Sequence, residues 1–200
     1  HRLLRIFGSA SAPELGVPRL LPGFDSTCKV LGNRSMTRYH DLGLFDANLY
    51  LIHMGHVTEE EIGWLVAEDV KVAHCPSASM FLGLGNFSTR MFPKMIDAGV
   101  TISLGTDSAS AGGHLDMVRV MALAAFGHRD IAADPQLIGA HKALEMATID
   151  GAKACLWEDG IGSIEVGKLA DLTLFETDTL ENHPGRDPVS NLVYSFTGRN

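Results

Sequence analysis

The chain has 200 residues, 46% of them hydrophobic, and carries a formal net charge of −8. This apolar content is sufficient for a folded core and excludes a disordered chain. The Lys and Arg residues are dispersed rather than clustered, which argues against a nucleic-acid or anionic-membrane surface and leaves a small molecule as the expected partner. No apolar run approaches the ~18 residues that a membrane-spanning helix needs, so we expect no membrane partner.

The first residues and the cysteines are less informative than the middle of the chain. Prolines interrupt any long element in residues 1–35, and we predict no element there. Cys28, Cys75 and Cys155 lie far apart and form no CxxC pair. This pattern favours a reducing compartment, so we expect a cytoplasmic protein.

A regular alternation of apolar runs and amphipathic segments begins near residue 48. Residues 48–53 predict a strand, and Thr58 with Glu61 forms the capping-box pattern that starts a helix. Residues 70–74 and 100–105 predict the next two strands. Strands and helices that alternate at this spacing predict parallel βαβ units.

The segments between and after these strands follow other patterns. Residues 75–86 are rich in Pro, Ser and Gly and predict a loop, whereas residues 88–99 and 115–128 predict helices. Residues 134–157 predict a helix that continues beyond Asp150. Residues 161–176 then show period-two patterning and β-branched content, which predicts the strands of a separate small β element.

Polar side chains stand at the carboxyl ends of three predicted strands. His53, His74 and Asp107 occupy these positions, and parallel strands place them at one edge of the sheet. Imidazole nitrogens and a carboxylate suit a divalent cation such as zinc, which turns bound water into hydroxide near neutral pH. Asp107 would then ligate the metal and accept the proton of water, and His53 would hydrogen-bond that water.

Each of these residues has a purely structural alternative. A strand-end Asp such as Asp107 is often a turn former or a helix N-cap, and His74 fits a hydrogen-bonded loop residue. His56 follows His53 at the spacing of a helical metal pair, but it lies between a strand and a loop. Cys75 is better explained as a buried thiol than as a nucleophile, because no His and Asn partners are visible.

The remaining motifs carry less information. His114, His128 and His141 lie in or beside predicted helices, which favours surface or packing roles. The GLGN stretch at residues 83–86 lacks the third glycine of a dinucleotide-binding loop. The sequence contains neither a GxSxG elbow nor a Walker-type lysine loop.

Residues 51–85, 95–110 and 147–175 together resemble the amidohydrolase superfamily. The similar branch includes methylthioadenosine/S-adenosylhomocysteine deaminases, guanine deaminases and triazine hydrolases, and the resemblance covers roughly residues 32–198. It implies an α/β fold, the C-terminal part of a metal-dependent (β/α)8 TIM barrel with part of a small β-sandwich domain.

The resemblance also implies a division of the chain. Residues 36–158 correspond to the C-terminal βα units of the barrel, and residues 159–200 to a truncated β-sandwich element. Residues 1–35 are unclear, with a divergent strand 5 region as one interpretation. A complete barrel takes ~250 residues, so we expect this chain to be a fragment.

The resemblance assigns roles to the polar strand ends. Asp107 matches the strand 8 aspartate, a metal ligand and general base, and His53 matches the strand 6 histidine that orients the substrate or the hydrolytic water. His74, Ser77 and Ser79 lie in a segment that usually reads HxPSSN and lines the substrate pocket. Here Ala78 and Ser79 replace its serine and asparagine, so substrate preference does not transfer. We place His56 in the same substrate-binding group.

The ligand set that the resemblance implies is incomplete in this chain. The family binds one divalent metal, zinc or alternatively iron, through an HxH pair and a strand 5 histidine besides the aspartate. The sequence has no HxH, and no histidine occurs between residues 10 and 25. With only Asp107 counted, we expect the isolated chain to bind well under one equivalent of zinc.

These observations predict a C-terminal fragment of a metal-dependent hydrolase that acts on carbon–nitrogen bonds other than peptide bonds. We expect the activity in the parent protein and expect the isolated 200-residue chain to be inactive. The expected reaction is deamination of an aminated purine, pyrimidine or triazine ring by metal-bound hydroxide. Dechlorination or amide hydrolysis on the same scaffold is the alternative within enzymes. A non-catalytic truncated barrel that serves as an interaction or homo-oligomerisation module is the alternative from another class.

Overall fold

The structure, a computed structural model, describes residues 4–7, 35–185 and 187–200. Four strands and nine α-helices alternate along this part of the chain. The strands are β1 (Leu4–Phe7), β2 (Leu49–Ile52), β3 (Lys71–His74) and β4 (Ile102–Leu104). The helices are α1 (Ser35–Asp41), α2 (Glu59–Ala67), α3 (Pro76–Leu82), α4 (Met91–Asp97), α5 (Ala109–Gly112), α6 (Met117–Ala132), α7 (Ala140–Ala147), α8 (Ile149–Ala154) and α9 (Pro188–Tyr194). A 3₁₀ turn covers Leu180–Asn182.

The strands form one parallel sheet in the order β1-β2-β3-β4. Leu51 pairs with Val72, and Val72 pairs with Ile102. All three side chains are at most 1% exposed, as expected for parallel strands that are covered on both faces. The predicted α/β class with a parallel sheet is therefore confirmed, and β1 adds a strand that the sequence did not predict.

Helix α2 begins where the capping box predicts. The Thr58 Oγ1 accepts the Glu61 backbone N–H at 3.2 Å, and the Glu61 carboxylate accepts the Thr58 N–H at 2.7 Å. Ile62 and Leu65 of this helix are buried against the sheet. Such reciprocal capping satisfies two backbone donors that the helix itself leaves unpaired.

Two predicted elements differ from those observed. Residues 75–86 are not all loop: α3 starts with Pro76 at its first turn, where the missing N–H costs nothing, and ends at the left-handed Gly83. The helix predicted over residues 134–157 is two helices. Thr148 breaks it with φ −123° and ψ −94°, and its Oγ1 donates to the Leu144 carbonyl at 2.7 Å.

The strands predicted over residues 161–176 are absent from the structure. This segment is irregular, and its apolar side chains are largely exposed, including Ile164 at 88% and Leu174 at 91%. Its period-two pattern raises strand propensity, but a strand also needs a partner for its ladder. The described part of the chain provides none, so the β-sandwich remains a prediction, as do the domain boundaries.

No helix in the described ranges is both long enough and apolar enough to cross a membrane.

A glycine in α6 lets the loop before α4 pack beneath it. A Cβ built at Gly127 would lie 2.7 Å from Cδ1 of Phe87, whose side chain is 8% exposed. The Phe87 ring lies 4.6 Å from the His128 ring and 5.5 Å from the His74 ring, measured between centroids. The close contact between α6 and the Phe87 ring therefore forms part of the packing beneath the carboxyl ends of the strands.

We predict that Gly127→Ala destabilises the protein by about 1 kcal/mol or more. The gain in helix propensity, at most ~1 kcal/mol, is outweighed by overpacking of ~1–3 kcal/mol against the buried Phe87 ring. The measurement is the free energy of unfolding in urea. Gly63→Ala in α2 is the matched control, because a Cβ there meets nothing within 4 Å. This control should raise stability by ~0.4–1 kcal/mol, and equal effects of the two substitutions would contradict the packing argument.

Candidate active site at the carboxyl ends of β2, β3 and β4

Backbone hydrogen bonds continue the sheet beyond its last strand residues. The His53 N–H donates to the Ala73 carbonyl at 3.2 Å, and the Gly105 N–H donates to the His74 carbonyl at 2.9 Å. The three chain segments therefore leave the sheet at the same level. The predicted convergence of polar strand ends at one edge is present, and His53, Cys75 and Asp107 meet there.

Both His53 and Asp107 have a left-handed backbone, with φ of 64° and 59° respectively. Residues other than glycine rarely adopt this conformation, although His, Asp and Asn tolerate it better than most. Each costs ~1–3 kcal/mol, and such residues concentrate at functional sites. The strained backbone at the ends of β2 and β4 therefore indicates that the placement of these two side chains matters more than a relaxed backbone conformation.

The side chains of His53 and Asp107 form a direct pair. Nε2 of His53 lies 3.0 Å from Oδ2 of Asp107, and the two side chains are 18% and 25% exposed. The other carboxylate oxygen of Asp107 accepts the Ser108 backbone N–H at 2.6 Å. Nδ1 of His53 is buried and has no hydrogen-bond partner in the described part of the chain. The 3.0 Å contact with Oδ2 of Asp107 is therefore the polar contact that the described part of the chain provides for the imidazole ring.

Cys75 lies against this pair from the end of β3. Its side chain is 4% exposed, and a Cβ at Gly105 would be 3.1 Å from its Sγ. Burial and the Asp107 charge raise the pKa of the thiol to about 12, although the Asp107 N–H donates a hydrogen bond to the sulfur. A thiol that stays protonated at neutral pH is a poor nucleophile, which agrees with the structural explanation of this residue.

The three residues together provide a nitrogen, a sulfur and an oxygen donor. An imidazole nitrogen of His53, Sγ of Cys75 and a carboxylate oxygen of Asp107 lie within 4.8 Å of one another. Zinc binds all three donor types. The ligand chemistry therefore fits zinc, and the count of available donors rises from the single one expected for Asp107 to three.

His74 lies below this group, in the interior. It is 0% exposed, stacks on Phe92 at 3.9 Å between ring centroids, and its Nε2 lies 3.1 Å from Nε2 of His128. Burial lowers the pKa of His74, assisted by the neighbouring His128 and His53, and burial lowers the pKa of His128 to about 4. Both rings are therefore neutral near pH 7, and one donates to the other.

The other predicted substrate-binding residues make separate contacts. The Ser77 Oγ donates to the Thr106 carbonyl at 3.2 Å, which ties α3 to the loop after β4. Ser79 is buried, and its Oγ has no partner among the described residues. His56 lies on the surface with Nε2 2.7 Å from the Leu84 carbonyl oxygen. Substrate contact by these three residues and by His74 stays a prediction.

Two contributions to the site were not assigned from the sequence. The pairing of His128 with His74 spans 54 positions, and helical periodicity alone gave no signal for it. Cys75 did carry a signal, because it directly follows β3 at the edge that His53 and Asp107 occupy. The sequence analysis placed Cys75 correctly as a buried thiol but not beside these two residues.

Comparison with known proteins identifies the family to which this fold and these strand ends belong. Residues 30–200 match the amidohydrolase family. This chain is a member of that family.

Relatives in sequence include deaminases. The chain is 37% identical over 174 residues to a 5-methylthioadenosine/S-adenosylhomocysteine deaminase of Teredinibacter turnerae, with 87% of this chain and 39% of the relative covered. It is 41% identical over 157 residues to the corresponding deaminase of Moorella thermoacetica, with 78% and 36% covered. The chain therefore spans less than two fifths of the length of these relatives.

Similar solved structures include zinc-containing enzymes. An adenosine deaminase from Xanthomonas campestris with bound zinc matches with a TM-score of 0.80 and 33% identity, covering 86% of this chain and 38% of that one. The atrazine chlorohydrolase TrzN from Arthrobacter aurescens, complexed with zinc, matches with a TM-score of 0.75 and 26% identity, covering 88% and 38%. The predicted resemblance to this branch of amidohydrolases is confirmed.

The buried histidine pair predicts a loss of stability in mild acid. Because the folded-state pKa of His128 lies near 4 and an unfolded His titrates near 6.5, the unfolded chain binds more protons between these values. Stability is therefore highest above about pH 6.5 and falls as the pH drops towards 4, by at most about 1.4 kcal/mol per pH unit for each such histidine.

We expect His128→Gln to make the free energy of unfolding depend less steeply on pH between pH 4 and 6.5. The reduction should be at most the contribution of one bound proton, about 1.4 kcal/mol per pH unit. His141→Gln, at an exposed position of α7, is the control and should leave the slope unchanged. An unaltered slope in the His128 variant would show that His128 is not a neutral buried imidazole.

Proposed function

We propose that this chain supplies the carboxylate–imidazole part of the active site of a zinc-dependent deaminase that acts on a small aminated ring. The substrate class is an aminated purine, pyrimidine or triazine. The observation that carries the proposal is the 3.0 Å pair of His53 and Asp107 at the carboxyl edge of a parallel sheet in an amidohydrolase-family chain. Relatives named as adenosine, methylthioadenosine and S-adenosylhomocysteine deaminases support the choice of reaction.

Asp107 is the residue that would hold zinc, with His53 and Cys75 as the neighbouring donors. Zinc, when bound, polarises water and brings its pKa towards neutrality. The carboxylate is suited to a second task, because it is one quarter exposed and retains lone pairs beyond the contacts to His53 and Ser108. It can therefore accept a proton from water at the mouth of the site.

The reaction requires two proton transfers that Asp107 can perform in turn. Its carboxylate accepts a proton from the water whose oxygen bonds to the ring carbon. The protonated carboxyl then gives a proton to the ring-bound amine, the carbon–nitrogen bond breaks, and ammonia leaves. One oxygen atom from water replaces one amine nitrogen on the ring, so neither an oxidant nor a reductant is needed. A general acid–base group of this type contributes ~10²–10⁴ in rate.

His53 acts as a positioning and hydrogen-bonding group beside this carboxylate. Its Nε2 lies 3.0 Å from Oδ2 of Asp107, and its buried Nδ1 has no competing partner in the described ranges. In this arrangement the Nε2–H is shared between the carboxylate and the attacking water. The donor therefore stands where negative charge develops, which is the requirement for electrostatic stabilisation of a transition state.

We expect Asp107→Asn to lower the deamination rate by ~10²–10⁴, because an amide accepts no proton at this pH. The assay is ammonia release from adenosine, 5-methylthioadenosine and S-adenosylhomocysteine by the zinc-supplied full-length enzyme of which this chain is proposed to be a part. Asp97→Asn, on the exposed end of α4, makes the same chemical change away from the site and should leave the rate intact. Equal rates for the wild type and the Asp107 variant would refute the role of this carboxylate.

The same assay separates the alternatives. Chloride release from atrazine without ammonia release would favour a dechlorinating enzyme, as the similarity to atrazine chlorohydrolase suggests. If the zinc-supplied full-length enzyme releases neither product, the proposal fails and a non-catalytic module is favoured.

A further inference from the structure

We propose that Thr89 is a positioning residue for the candidate active site and acts through the β2 exit, the turn formed by residues 53–57. Its hydroxyl holds this turn in the conformation that places the imidazole of His53 beside Asp107. The proposal rests on the deaminase function given above. It assigns a role to the α3–α4 loop, residues 83–90, whose GLGN stretch matches no nucleotide-binding pattern.

Two polar contacts join the α3–α4 loop to the β2 exit. The Thr89 hydroxyl donates a hydrogen bond to the carbonyl of Gly55, two residues after His53. At the next residue of the turn, Nε2 of His56 lies 2.7 Å from the Leu84 carbonyl oxygen. The segment that leaves β2 is therefore attached at two consecutive residues to the loop that follows α3.

The two segments also pack closely, because Gly55 has no side chain. A Cβ built at Gly55 would lie 2.5 Å from Oδ1 of Asn86. Asn86 is 0% exposed, and neither Oδ1 nor Nδ2 has a hydrogen-bond partner among the described residues. A buried amide of this kind is unfavourable by itself, so the surrounding packing must hold it in place. The loop and the β2 exit therefore meet in a tightly packed contact.

The α3–α4 loop is anchored on the interior of the protein. Phe87 is 8% exposed and packs against α6 at Gly127. The Thr89 hydroxyl also lies 3.0 Å from the carbonyl oxygen of Asn86 in its own loop. A hydroxyl has a single proton to donate, so Thr89 shares it between this carbonyl and that of Gly55. The loop is therefore a fixed support against which the β2 exit is held.

His53 needs such a support because its backbone is strained. Its φ of 64° is left-handed, a conformation that persists only where the surrounding structure imposes it. On the strand side, the His53 N–H donates to the Ala73 carbonyl at 3.2 Å. On the other side, the Thr89 hydroxyl holds the Gly55 carbonyl. Loss of this second anchor lets φ of His53 relax, which moves its imidazole away from Asp107.

The test compares Thr89→Val with Thr89→Ser in the zinc-supplied full-length enzyme. Valine keeps the branched shape of threonine but removes the hydroxyl, whereas serine retains the hydrogen-bond donor. We expect Thr89→Val to lower kcat for ammonia release from 5-methylthioadenosine by ~10- to 100-fold, because a displacement of about 1 Å can cost the upper value. KM should stay close to that of the wild type, and Thr89→Ser should keep most of the wild-type kcat.

Ser88→Ala is the matched control in the same loop. The Ser88 hydroxyl donates to the Gly85 carbonyl at 2.7 Å, a hydrogen bond that does not reach the β2 exit, so kcat should equal that of the wild type. A wild-type kcat in Thr89→Val, or a serine variant as impaired as the valine variant, would overturn the proposal. An equal loss in Ser88→Ala would also overturn it, because the effect would then report only the stability of the loop.

A second measurement on the same enzymes needs no substrate. Hydrogen–deuterium exchange, read by mass spectrometry of a peptide over residues 49–57, reports the protection of the His53 N–H and its neighbours. We expect faster exchange in Thr89→Val and wild-type exchange in Ser88→Ala. Unchanged exchange in Thr89→Val would overturn the proposal whatever the activity. Faster exchange in this variant of an inactive enzyme would refute the deaminase function but support the anchoring of the β2 exit by Thr89.

Discussion

Two backbone hydrogen bonds that extend the parallel ladder past the ends of β2, β3 and β4 hold the site together. They run from the His53 N–H to Ala73 and from the Gly105 N–H to His74. In a parallel sheet the carboxyl ends of all strands lie on the same side. Parallel pairing alone does not align these ends at the same height along the strands. The added hydrogen bonds set that level, and a shift of one residue would turn every following side chain to the opposite face.

The backbone at the site is strained, and the favourable packing of the interior offsets the free-energy cost of this strain. His53 and Asp107 each keep a left-handed backbone, and buried polar atoms such as Nδ1 of His53 lack a partner in the described structure. Beneath them, fully buried side chains including Phe92 and Met95 fill the space between sheet and helices. A rigid, packed interior beneath the strained strand ends keeps catalytic groups oriented before a substrate arrives.

Local patterns in the sequence predicted the features that depend on neighbouring residues. The central strands, the capping box of α2 and the placement of His53 and Asp107 follow from periodicity and from the polarity of parallel sheets. Features that depend on distant partners were missed or wrong. The pairing of His128 with a residue 54 positions away has no local signal, and residues 161–176 have a strand pattern but no partner strand among the residues that the structure describes. The sequence predicted a loop in place of helix α3 because its Pro, Ser and Gly content is typical of loops. Proline is, however, equally common at the first turn of a helix.

The central claim is that these strand ends gather the donors of a metal centre around Asp107. Anomalous X-ray diffraction at the zinc absorption edge, from crystals of the chain grown with zinc, tests it most directly. The account predicts an anomalous peak at a bonding distance of ~2.0–2.2 Å from a carboxylate oxygen of Asp107. Zinc peaks found only elsewhere on the protein, with none beside Asp107, would contradict it.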